Sequence, residues 1–483
     1  MKNWMVLIAL LFFAGVNSLA YGQKLSPASV NKALEKAIRK AYGACVRMWA
    51  FDVDRQMRTG GQFSGVVVDA DGYILTAAHV NTPGQSYMVM FPDGSSQIAC
   101  GLGEIELENN KFVPDVAMMK IIGAGKWACA EMGWSSGVKQ NEPCISIAYP
   151  ESLSQTLPLV RVGKVTELKN KYGFMTSTCI MEPGDSGGPL FDIEGRLIGL
   201  HSGIEIPEKS NFEIPVDLYR KYWTALKKPE SYKVYPVMED AVGLDSLKKA
   251  DAVFFGVDTA DVLSKHIFKL FNRDVYLIES TLEGKPQTLQ GTHFSAVDLP
   301  LTERFKNRGI LLSKSSMVGA KPIVKISGKQ YALTIIARDE ANDLVLLSTP
   351  RRLKGGISLA KMNMGDLKFG QLGTFLFSPL ADGTFVPSVI GSGEFSIPEF
   401  PVSKTLPQAY YNHPAAQFAG GKSIRRDRFK KVFAHDAVLQ PAQCGGPVFD
   451  ANGNFYGINI ARYSRVCSVV VPAAVIVQLL KSY

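Results

Sequence analysis

Hydrophobic and polar positions alternate in short runs of strand length through most of the 483-residue chain, and glycine, proline and asparagine separate the runs. Many short strands divided by turn residues are typical of β-barrels and β-sandwiches. Ahead of the first group of runs, Val30, Leu34 and Ile38 recur at helical spacing after Pro27. Helix-like tails, VDLYRKYWTALKK and AAVIVQLLKSY, close the two groups. The pattern therefore predicts an all-β protein with short N- and C-terminal helices on each group.

The two groups of strands are a tandem repeat. PGDSGGPLFD in the first half returns as PAQCGGPVFD in the second, 258 positions later (444 − 186). A second amphipathic helix is predicted over 262–271. Three further segments correspond: GGQFSGVVV (60–68) with GTHFSAV (291–297), GYILTAAHV (72–80) with GILLSKSSM (309–317), and DVAMMKI (115–121) with NDLVLLS (342–348).

The N-terminus has the order of a secretory signal peptide. Lys2 precedes an apolar run over 5–14, and small residues follow as far as Ala20. The sequence therefore predicts an exported chain, secreted or periplasmic. The predicted divisions are a signal peptide over 1–22, a first domain over 23–228, a polar linker over 229–236 and a second domain over 237–483.

Composition excludes several other functions. The net charge of +9 is moderate, and no basic helix or basic-aromatic stripe indicates nucleic acid as a partner. No segment beyond the signal peptide is predicted to span a membrane. The seven cysteines include no CxxC pair and no His/Cys cluster with zinc spacing, so neither a metal nor another cofactor is expected. The sequence leaves the oligomeric state open.

Three residues of the first half suggest nucleophilic catalysis. His79 ends the run TAAHV, Asp115 begins DVAMMK, and Ser186 lies in the glycine-rich turn GDSGGP. A serine hydroxyl needs a neighbouring base, and a histidine oriented by a carboxylate provides one near neutral pH. Gly184 allows the backbone to turn, so that the N–H groups of Gly184 and Ser186 form an oxyanion hole.

These motifs, in the order His, Asp, Ser and with spacings of 36 (115 − 79) and 71 (186 − 115), resemble the trypsin-like serine peptidases. The HtrA/Deg-type and glutamyl-endopeptidase-type members are the most similar. The resemblance covers about residues 45–226 and implies two packed six-stranded β-barrels with a catalytic cleft between them. It also implies a serine endopeptidase that hydrolyses protein or peptide substrates through an acyl-enzyme. The whole chain is then a tandem pair of trypsin-like double β-barrel domains.

The resemblance also indicates where a substrate pocket lies. Ile180 stands where trypsins place an aspartate at the base of the pocket, so cleavage after Arg or Lys is not expected. His201 stands where glutamyl endopeptidases carry a histidine that meets an acidic substrate side chain. His201 either has that role or, as the sequence favours, is a pocket-wall histidine whose hydrogen bonds are satisfied within the domain.

The second half lacks most of this chemistry. Asp343 keeps the aspartate position, but the histidine position falls on Ser316, or on Ser315 if the register slips by one. Cys444 replaces the serine and Ala442 the oxyanion-loop glycine. Neither His293, matched to Gln62, nor His435 stands at the base position.

We therefore expect a degenerate site (Ser316, Asp343, Cys444) in a pseudo-peptidase domain used for binding or regulation, with Cys444 inert or paired with Cys467. Two alternatives remain. One is a peptide-binding scaffold in which neither half cuts. The other is an enzyme in which Cys444 forms a second active site.

Overall fold

The computed structural model describes residues 27–107, 114–153, 156–205, 210–239, 274–295, 307–400 and 421–482. The predicted signal peptide (1–22) and second amphipathic helix (262–271) lie outside these ranges. The first half contains α1 Pro27–Ala41, β1 Cys45–Asp52, β2 Met57–Val67, β3 Tyr73–Ala77, β4 Ser86–Met90, β5 Ser96–Ile105, β6 Val116–Ile121, β7 Pro143–Ala148, β8 Leu159–Glu167, β9 Met175–Ser177, β10 Pro189–Phe191, β11 Leu197–Ile204, β12 Asn211–Pro215, α2 Val216–Lys221, α3 Trp223–Leu226 and β13 Ser231–Tyr232.

Two closed barrels form the first half. Strands β1 to β6 make a six-stranded antiparallel barrel, which closes because β5 pairs with both β4 and β6. Strands β7 to β12 close into the second six-stranded barrel. Closure removes exposed sheet edges, and the apolar side chains of each strand fill the interior. The double barrel implied by the motifs is confirmed.

The second half repeats this organisation in two seven-stranded antiparallel sheets, with the strand orders β18-β17-β14-β15-β16-β20-β19 and β22-β21-β25-β26-β27-β24-β23. The tandem all-β prediction is therefore confirmed. Its elements are β14 Val275–Leu282, β15 Lys285–Phe294, β16 Ile310–Lys314, β17 Ile323–Ile326, β18 Lys329–Ala332, β19 Thr334–Asp339, β20 Leu344–Ser348, β21 Phe375–Pro379, β22 Phe385–Val389, β23 Phe395–Ile397, β24 Phe429–His435, β25 Pro447–Asp450, β26 Phe455–Arg462, β27 Ser468–Pro472 and α4 Ala473–Lys481.

Helix α1 packs against both halves. Its predicted apolar positions Val30, Leu34 and Ile38 are all buried, as the helical spacing required. The ring of Tyr42, just after the helix, meets Phe369 of the second half edge-on, with the ring centroids 4.8 Å apart. The apolar face of α1 thus joins first-half and second-half residues in one hydrophobic core.

The predicted linker takes part in the first barrel. Ser231 and Tyr232 form β13, which pairs in parallel with Glu104 and Ile105 at the edge of β5. The polar composition of 229–236 suggested a free connection. However, the backbone groups at the edge of β5 accept a short extra strand, because a strand edge offers unpaired donors and acceptors.

Removing the apolar side chain of Ile38 should destabilise the protein, because that side chain is fully buried in the core that α1 shares with both halves. For Ile38→Ala we expect a loss of about 2–5 kcal/mol, read from the denaturant midpoint with the slope held constant. Lys36→Ala, an exposed position on the same helix, is the matched control and should move the midpoint little. Equal midpoints for the two variants would contradict this packing.

Candidate active site

Three side chains meet in the cleft of the first half. His79 follows β3, Asp115 immediately precedes β6, and Ser186 lies in the turn before β10. The Nδ1 atom of His79 lies 3.0 Å from Oδ2 and 3.1 Å from Oδ1 of Asp115. Its Nε2 atom lies 3.0 Å from Ser186 Oγ. The structure therefore brings together the three residues that the motifs suggested, in a continuous hydrogen-bonded row.

The Asp115 carboxylate is held from several directions. It accepts hydrogen bonds from the His79 backbone N–H at 3.0 Å and from the Ser202 hydroxyl at 2.5 Å. The Asp115 backbone has φ = 49°, in the left-handed region that non-glycine residues seldom adopt. Such strain persists only where surrounding contacts fix it, and it is concentrated at functional sites. The carboxylate is therefore fixed against the imidazole.

The protonation of His79 depends on this contact. Burial lowers the pKa of His79, but the hydrogen bond that its Nδ1–H donates to Asp115 and the negative charge of Asp115 raise it by more, so the net shift is upward. The imidazole side chain still keeps 41% of its surface exposed on the side of the cleft. The arrangement favours a histidine that accepts a proton from Ser186 and is stabilised as the imidazolium.

The loop before Ser186 presents two backbone donors. Gly184 has φ = 97°, and a Cβ there would lie 2.6 Å from both Tyr149 O and Glu151 N. The Pro183 carbonyl points away from the nucleophile and accepts a hydrogen bond from Glu151 N at 2.8 Å. Within the described ranges, the N–H groups of Gly184 and Ser186 donate to no protein acceptor. They are the two groups expected to form an oxyanion hole.

A buried ion pair lies directly behind this loop. The Arg161 guanidinium on β8 contacts both carboxylate oxygens of Asp185, at 2.6 and 2.7 Å. The two side chains are 2% and 1% exposed. Burial lowers the pKa of Arg161, but the charge and hydrogen bonds of Asp185 raise it above its usual range. Arg161 also donates to Ile180 O at 2.8 Å, so one side chain links β8 to both ends of the 180–185 segment.

The two predicted pocket residues have different environments. Ile180 is partly buried and packs against the core of the second half. His201 is fully buried, with Nδ1 2.6 Å from Glu213 Oε2 and Nε2 2.7 Å from Ser146 Oγ. Both ring nitrogens are engaged inside the barrel, so His201 does not face a substrate carboxylate in this structure. The geometry agrees with the reading in which its hydrogen bonds are satisfied within the domain.

The second half repeats the backbone of the site with different side chains. Asp343 has φ = 56°, like Asp115, and its carboxylate accepts a hydrogen bond from the Ser316 backbone N–H at 2.7 Å. In the first half the equivalent donor is His79, so the histidine position is Ser316 and the alternative register at Ser315 is wrong. Lys314 Nζ lies 2.5 Å from Asp343 Oδ2, and both side chains are buried. A lysine thus neutralises the carboxylate that a histidine contacts in the first half.

The oxyanion loop of the second half has a different conformation. Pro441–Gln443 forms a turn of 3-10 helix, and the Cys444 N–H donates to Pro441 O at 3.1 Å. In the first half the corresponding Ser186 N–H is not engaged in this way. Ala442 replaces Gly184, and a Cβ disfavours the left-handed backbone that Gly184 adopts. The Cys444 N–H, which an oxyanion hole would need as a donor, is therefore hydrogen-bonded within the loop itself.

Cys444 has no histidine base among its described contacts. Its Sγ lies 3.8 Å from Ser423 Oγ and 3.9 Å from Gln440 O. Burial raises the pKa of its thiol. Cys444 and Cys467 are both free thiols, so a disulfide between them, one of the two outcomes left open by the sequence, is absent from the structure.

The two histidines considered for Cys444 lie in other networks. Gln290 N donates to Cys444 O as Ser64 N donates to Ser186 O, so Gln290 corresponds to Ser64. His293 therefore corresponds to Val67, and its match to Gln62 is wrong, because the shared Phe-Ser pair suggested a register that the strands do not adopt. His435 Nε2 lies 2.8 Å from Asn459 Oδ1. Burial lowers the pKa of both histidines to about 4.

The part of the chain that the structure describes has neither a metal-binding cluster nor a membrane-spanning helix. It contains no group of three or more histidine, cysteine, aspartate or glutamate side chains that could hold a metal ion. None of its helices has the length and apolar content that a membrane crossing requires.

Paired β-barrels with a Ser-His-Asp row in their cleft define the trypsin-like serine peptidase class. Comparison with known proteins agrees. Residues 63–200 match the trypsin-like peptidase domain family. This match contains all three residues of the row, and it confirms the resemblance that the motifs indicated.

The similar proteins are HtrA/Deg-like. The serine protease HTRA1 of Xenopus laevis is 24% identical over 303 residues, covering 60% of each chain. The putative protease Do-like 14 of Arabidopsis thaliana is 25% identical over 58% of this chain and 65% of its own length. A probable periplasmic DegP-like serine endoprotease of Pseudomonas fluorescens is 29% identical over 34% of this chain and 35% of its own. The chain thus spans less than two thirds of the length of these relatives, to which it is similar in sequence.

Sequence reasoning missed three residues around the site. Ser202 donates a hydrogen bond to Asp115, but it simply follows His201 within a strand, and no sequence motif marks it. Arg161 lies between Val160 and Val162, and a charge between apolar residues of a buried strand is the one signal that could have revealed it. Arg465, described below, contacts residues more than 250 positions away. No local pattern indicates such a contact.

Removing the Arg161 side chain should destabilise the first half, because it leaves the Asp185 carboxylate buried without its cation. For Arg161→Met we expect a loss of about 3–5 kcal/mol in the denaturant transition of the full chain. The double variant Arg161→Met/Asp185→Asn should recover much of this loss, since the remaining group is neutral.

Arg55→Met, at a side chain 77% exposed, is the control and should change the transition little. A transition for Arg161→Met within 1 kcal/mol of the unaltered chain, on the scale of a routine surface change, would contradict the importance of the pair.

Proposed function

We propose that the chain is a serine endopeptidase whose first half hydrolyses peptide bonds through His79, Asp115 and Ser186. The observation that carries the proposal is the position of His79, 3.0 Å from Asp115 on one side and 3.0 Å from Ser186 Oγ on the other. The unengaged N–H groups of Gly184 and Ser186 beside it supply the second element that acyl transfer needs.

The geometry supports a two-step mechanism. Ser186 Oγ attacks the substrate carbonyl carbon while its proton passes to His79 Nε2. Asp115 accepts the Nδ1–H hydrogen bond and stabilises the imidazolium that forms. The Gly184 and Ser186 N–H groups bind the developing oxyanion. His79 then gives its proton to the leaving amine, and water, activated by the same histidine, hydrolyses the acyl-enzyme.

In this proposal the second half is non-catalytic. The Lys314–Asp343 pair, the engaged Cys444 N–H and the raised pKa of the Cys444 thiol each remove a requirement for nucleophilic catalysis. Its role is then binding or regulation of the first half. Its packing against α1 and the first-half core supports a direct influence on the catalytic half.

We place this activity in an exported protein acting on protein or peptide substrates, in the periplasm or outside the cell. Two observations support this location: the N-terminal order of charged, apolar and small residues, and similarity to proteins described as periplasmic endoproteases. Nucleic acid has no place in the proposal. The oligomeric state is not part of it.

A fluorophosphonate probe tests the catalytic half directly. We expect stoichiometric labelling of the full chain, with the adduct on Ser186 by mass spectrometry, because only an activated serine reacts rapidly. Asp115→Asn should slow peptide hydrolysis by roughly 10⁴-fold, since the imidazole then favours the wrong tautomer.

Ser186→Ala is the control and should remain unlabelled. If the folded, unaltered chain is not labelled, the proposal fails, and a peptide-binding scaffold built on two peptidase folds becomes the better account.

Alkylation tests the second half. Iodoacetamide should modify Cys129, which is exposed, well before the fully buried Cys444 in the folded chain. The raised pKa of the Cys444 thiol also disfavours the thiolate that reacts. Rapid, selective alkylation of Cys444 at neutral pH would instead favour a second active site. Cys129 serves as the internal standard for the reagent.

A further inference from the structure

A loop of the second half reaches the segment that leads to Ser186. Residues 463–467, which connect β26 to β27 and are called the 463–467 loop below, are almost completely buried. Tyr463 donates from its hydroxyl to Ser152 O at 2.8 Å. Ser464 lies near the buried Glu182 carboxylate, four residues before the nucleophile, and opposes the rise that burial causes in the pKa of Glu182. The loop therefore lies against the first half rather than in solvent.

Arg465 makes the central contact of this loop. Its Nε donates to Met181 O at 3.0 Å, and its Nη2 donates to Glu205 O at 3.2 Å. Met181 directly follows Ile180, the expected base of the substrate pocket, and Glu205 directly follows the end of β11, which carries His201. One guanidinium thus joins the two backbone segments that bear the expected pocket residues, and it belongs to the other half of the chain.

The contact continues towards the nucleophile. The Met181 N–H donates to Asn211 Oδ1 at 2.9 Å, so the Met181 peptide is held on both sides. The Glu182 N–H donates to Asp185 Oδ2 at 3.0 Å, one residue before Ser186. Displacement of Met181 would therefore act on the pocket wall first, while Arg161 holds Asp185 independently.

The second half also forms the outer side of Ile180. A cavity of about 410 Å³ lies between the halves, lined by Thr178, Cys179 and Ile180 on one side and by residues such as Phe375 and Val438 on the other. In the first half, Ile180 is held through its backbone carbonyl, which Arg161 contacts at 2.8 Å. Its packing partners include the hydrophobic cluster of the second half.

We propose that Arg465 is a positioning residue for the first half's substrate pocket. It holds the Met181 and Glu205 backbones at a fixed separation, so that the pocket is complete only while the second half is packed against the first. The proposal rests on the proposed endopeptidase function. It gives the degenerate half a specific role, namely to set how tightly and how selectively the first half binds the substrate residue that precedes the cleaved bond.

The chemistry of the side chain explains why this position needs arginine. A planar guanidinium offers several donors in a rigid fork, so it can bridge two carbonyl oxygens. A lysine ammonium could reach one of the carbonyls but would not fix their separation. Methionine has a similar apolar stem and no donor. Comparison of Arg465→Lys with Arg465→Met therefore separates the loss of the two hydrogen bonds from the loss of side-chain packing.

The test uses the full chain with Arg465→Met, Arg465→Lys and, as the matched control, Arg352→Met, an exposed arginine of the same half. Peptide substrates that differ only at the residue before the cleaved bond are compared for kcat and KM. The rate of fluorophosphonate labelling at Ser186 is measured beside them, because a small probe needs the catalytic residues but little of the pocket.

For Arg465→Met we expect KM for the preferred peptides to rise at least tenfold and preferences among them to fall at least fivefold. Labelling of Ser186 should stay within threefold of the unaltered chain. For Arg465→Lys, KM and peptide preference should lie between those of Arg465→Met and those of the unaltered chain. Arg352→Met should match the unaltered chain in both. Unchanged KM and preferences in Arg465→Met would overturn the proposal, as would equal losses of labelling and peptide hydrolysis, which indicate general misfolding.

Hydrogen–deuterium exchange provides an arm that does not depend on catalysis. In Arg465→Met, exchange should rise at least tenfold in 180–182 and 203–205 and remain unchanged in β1 to β6. Absence of this local rise would overturn the positioning role even in an active enzyme. If the unaltered chain fails to react with the probe but the local rise occurs, the endopeptidase proposal fails while the contact is upheld.

Discussion

The left-handed backbone at Gly184 is the constraint on which the catalytic cleft depends. With φ = 97° the Pro183 carbonyl turns outwards to Glu151, and the N–H groups that follow face the cleft. No side chain fits at this position, since a Cβ would meet the backbone of Tyr149 and Glu151. The second half shows the alternative. With Ala442 at this position, the loop forms a 3-10 turn, and the Pro441 carbonyl accepts a hydrogen bond from the Cys444 N–H.

The two halves also show how one backbone accommodates an aspartate beside a histidine and an aspartate beside a lysine. Asp115 and Asp343 share a strained φ and a hydrogen bond from the backbone that follows the adjacent strand, so the fold retains the carboxylate in both. In the first half the carboxylate faces a histidine that remains accessible to the cleft. In the second, Lys314 neutralises it within the core. A buried carboxylate without a partner is costly, so loss of the histidine is accompanied by a cation.

The sequence was sufficient to predict features that depend on local patterns. Helix α1, the all-β repeat and the Ser-His-Asp row were predictable because strand alternation, helical spacing and glycine-rich turns are each readable over a few residues. The motif places the histidine position at Ser316 or Ser315, and the backbone contact to Asp343 decides for Ser316.

Other features depend on residues that are distant in sequence. The Arg161–Asp185 pair, the strand β13 and the burial of His201 arise from how strands register across a barrel. The match of His293 to Gln62 fails for the same reason, because a shared Phe-Ser pair does not determine how the strands pair. The contacts of Arg465 could not be predicted from the sequence for a further reason. Its partners Met181 and Glu205 lie in the other copy of the repeat, so neither copy alone contains the information.

That placement bears on how the duplicated gene product can change over time. A second copy freed from catalysis would ordinarily drift wherever its own core permits. The 463–467 loop is an exception, because its residues contact the Ser152, Met181 and Glu205 backbones of the other copy. Selection on the half that carries the Ser-His-Asp row thus also acts on this loop of the half that lacks it. Exchange of either half for a homologous domain would separate residues that have adapted to one another.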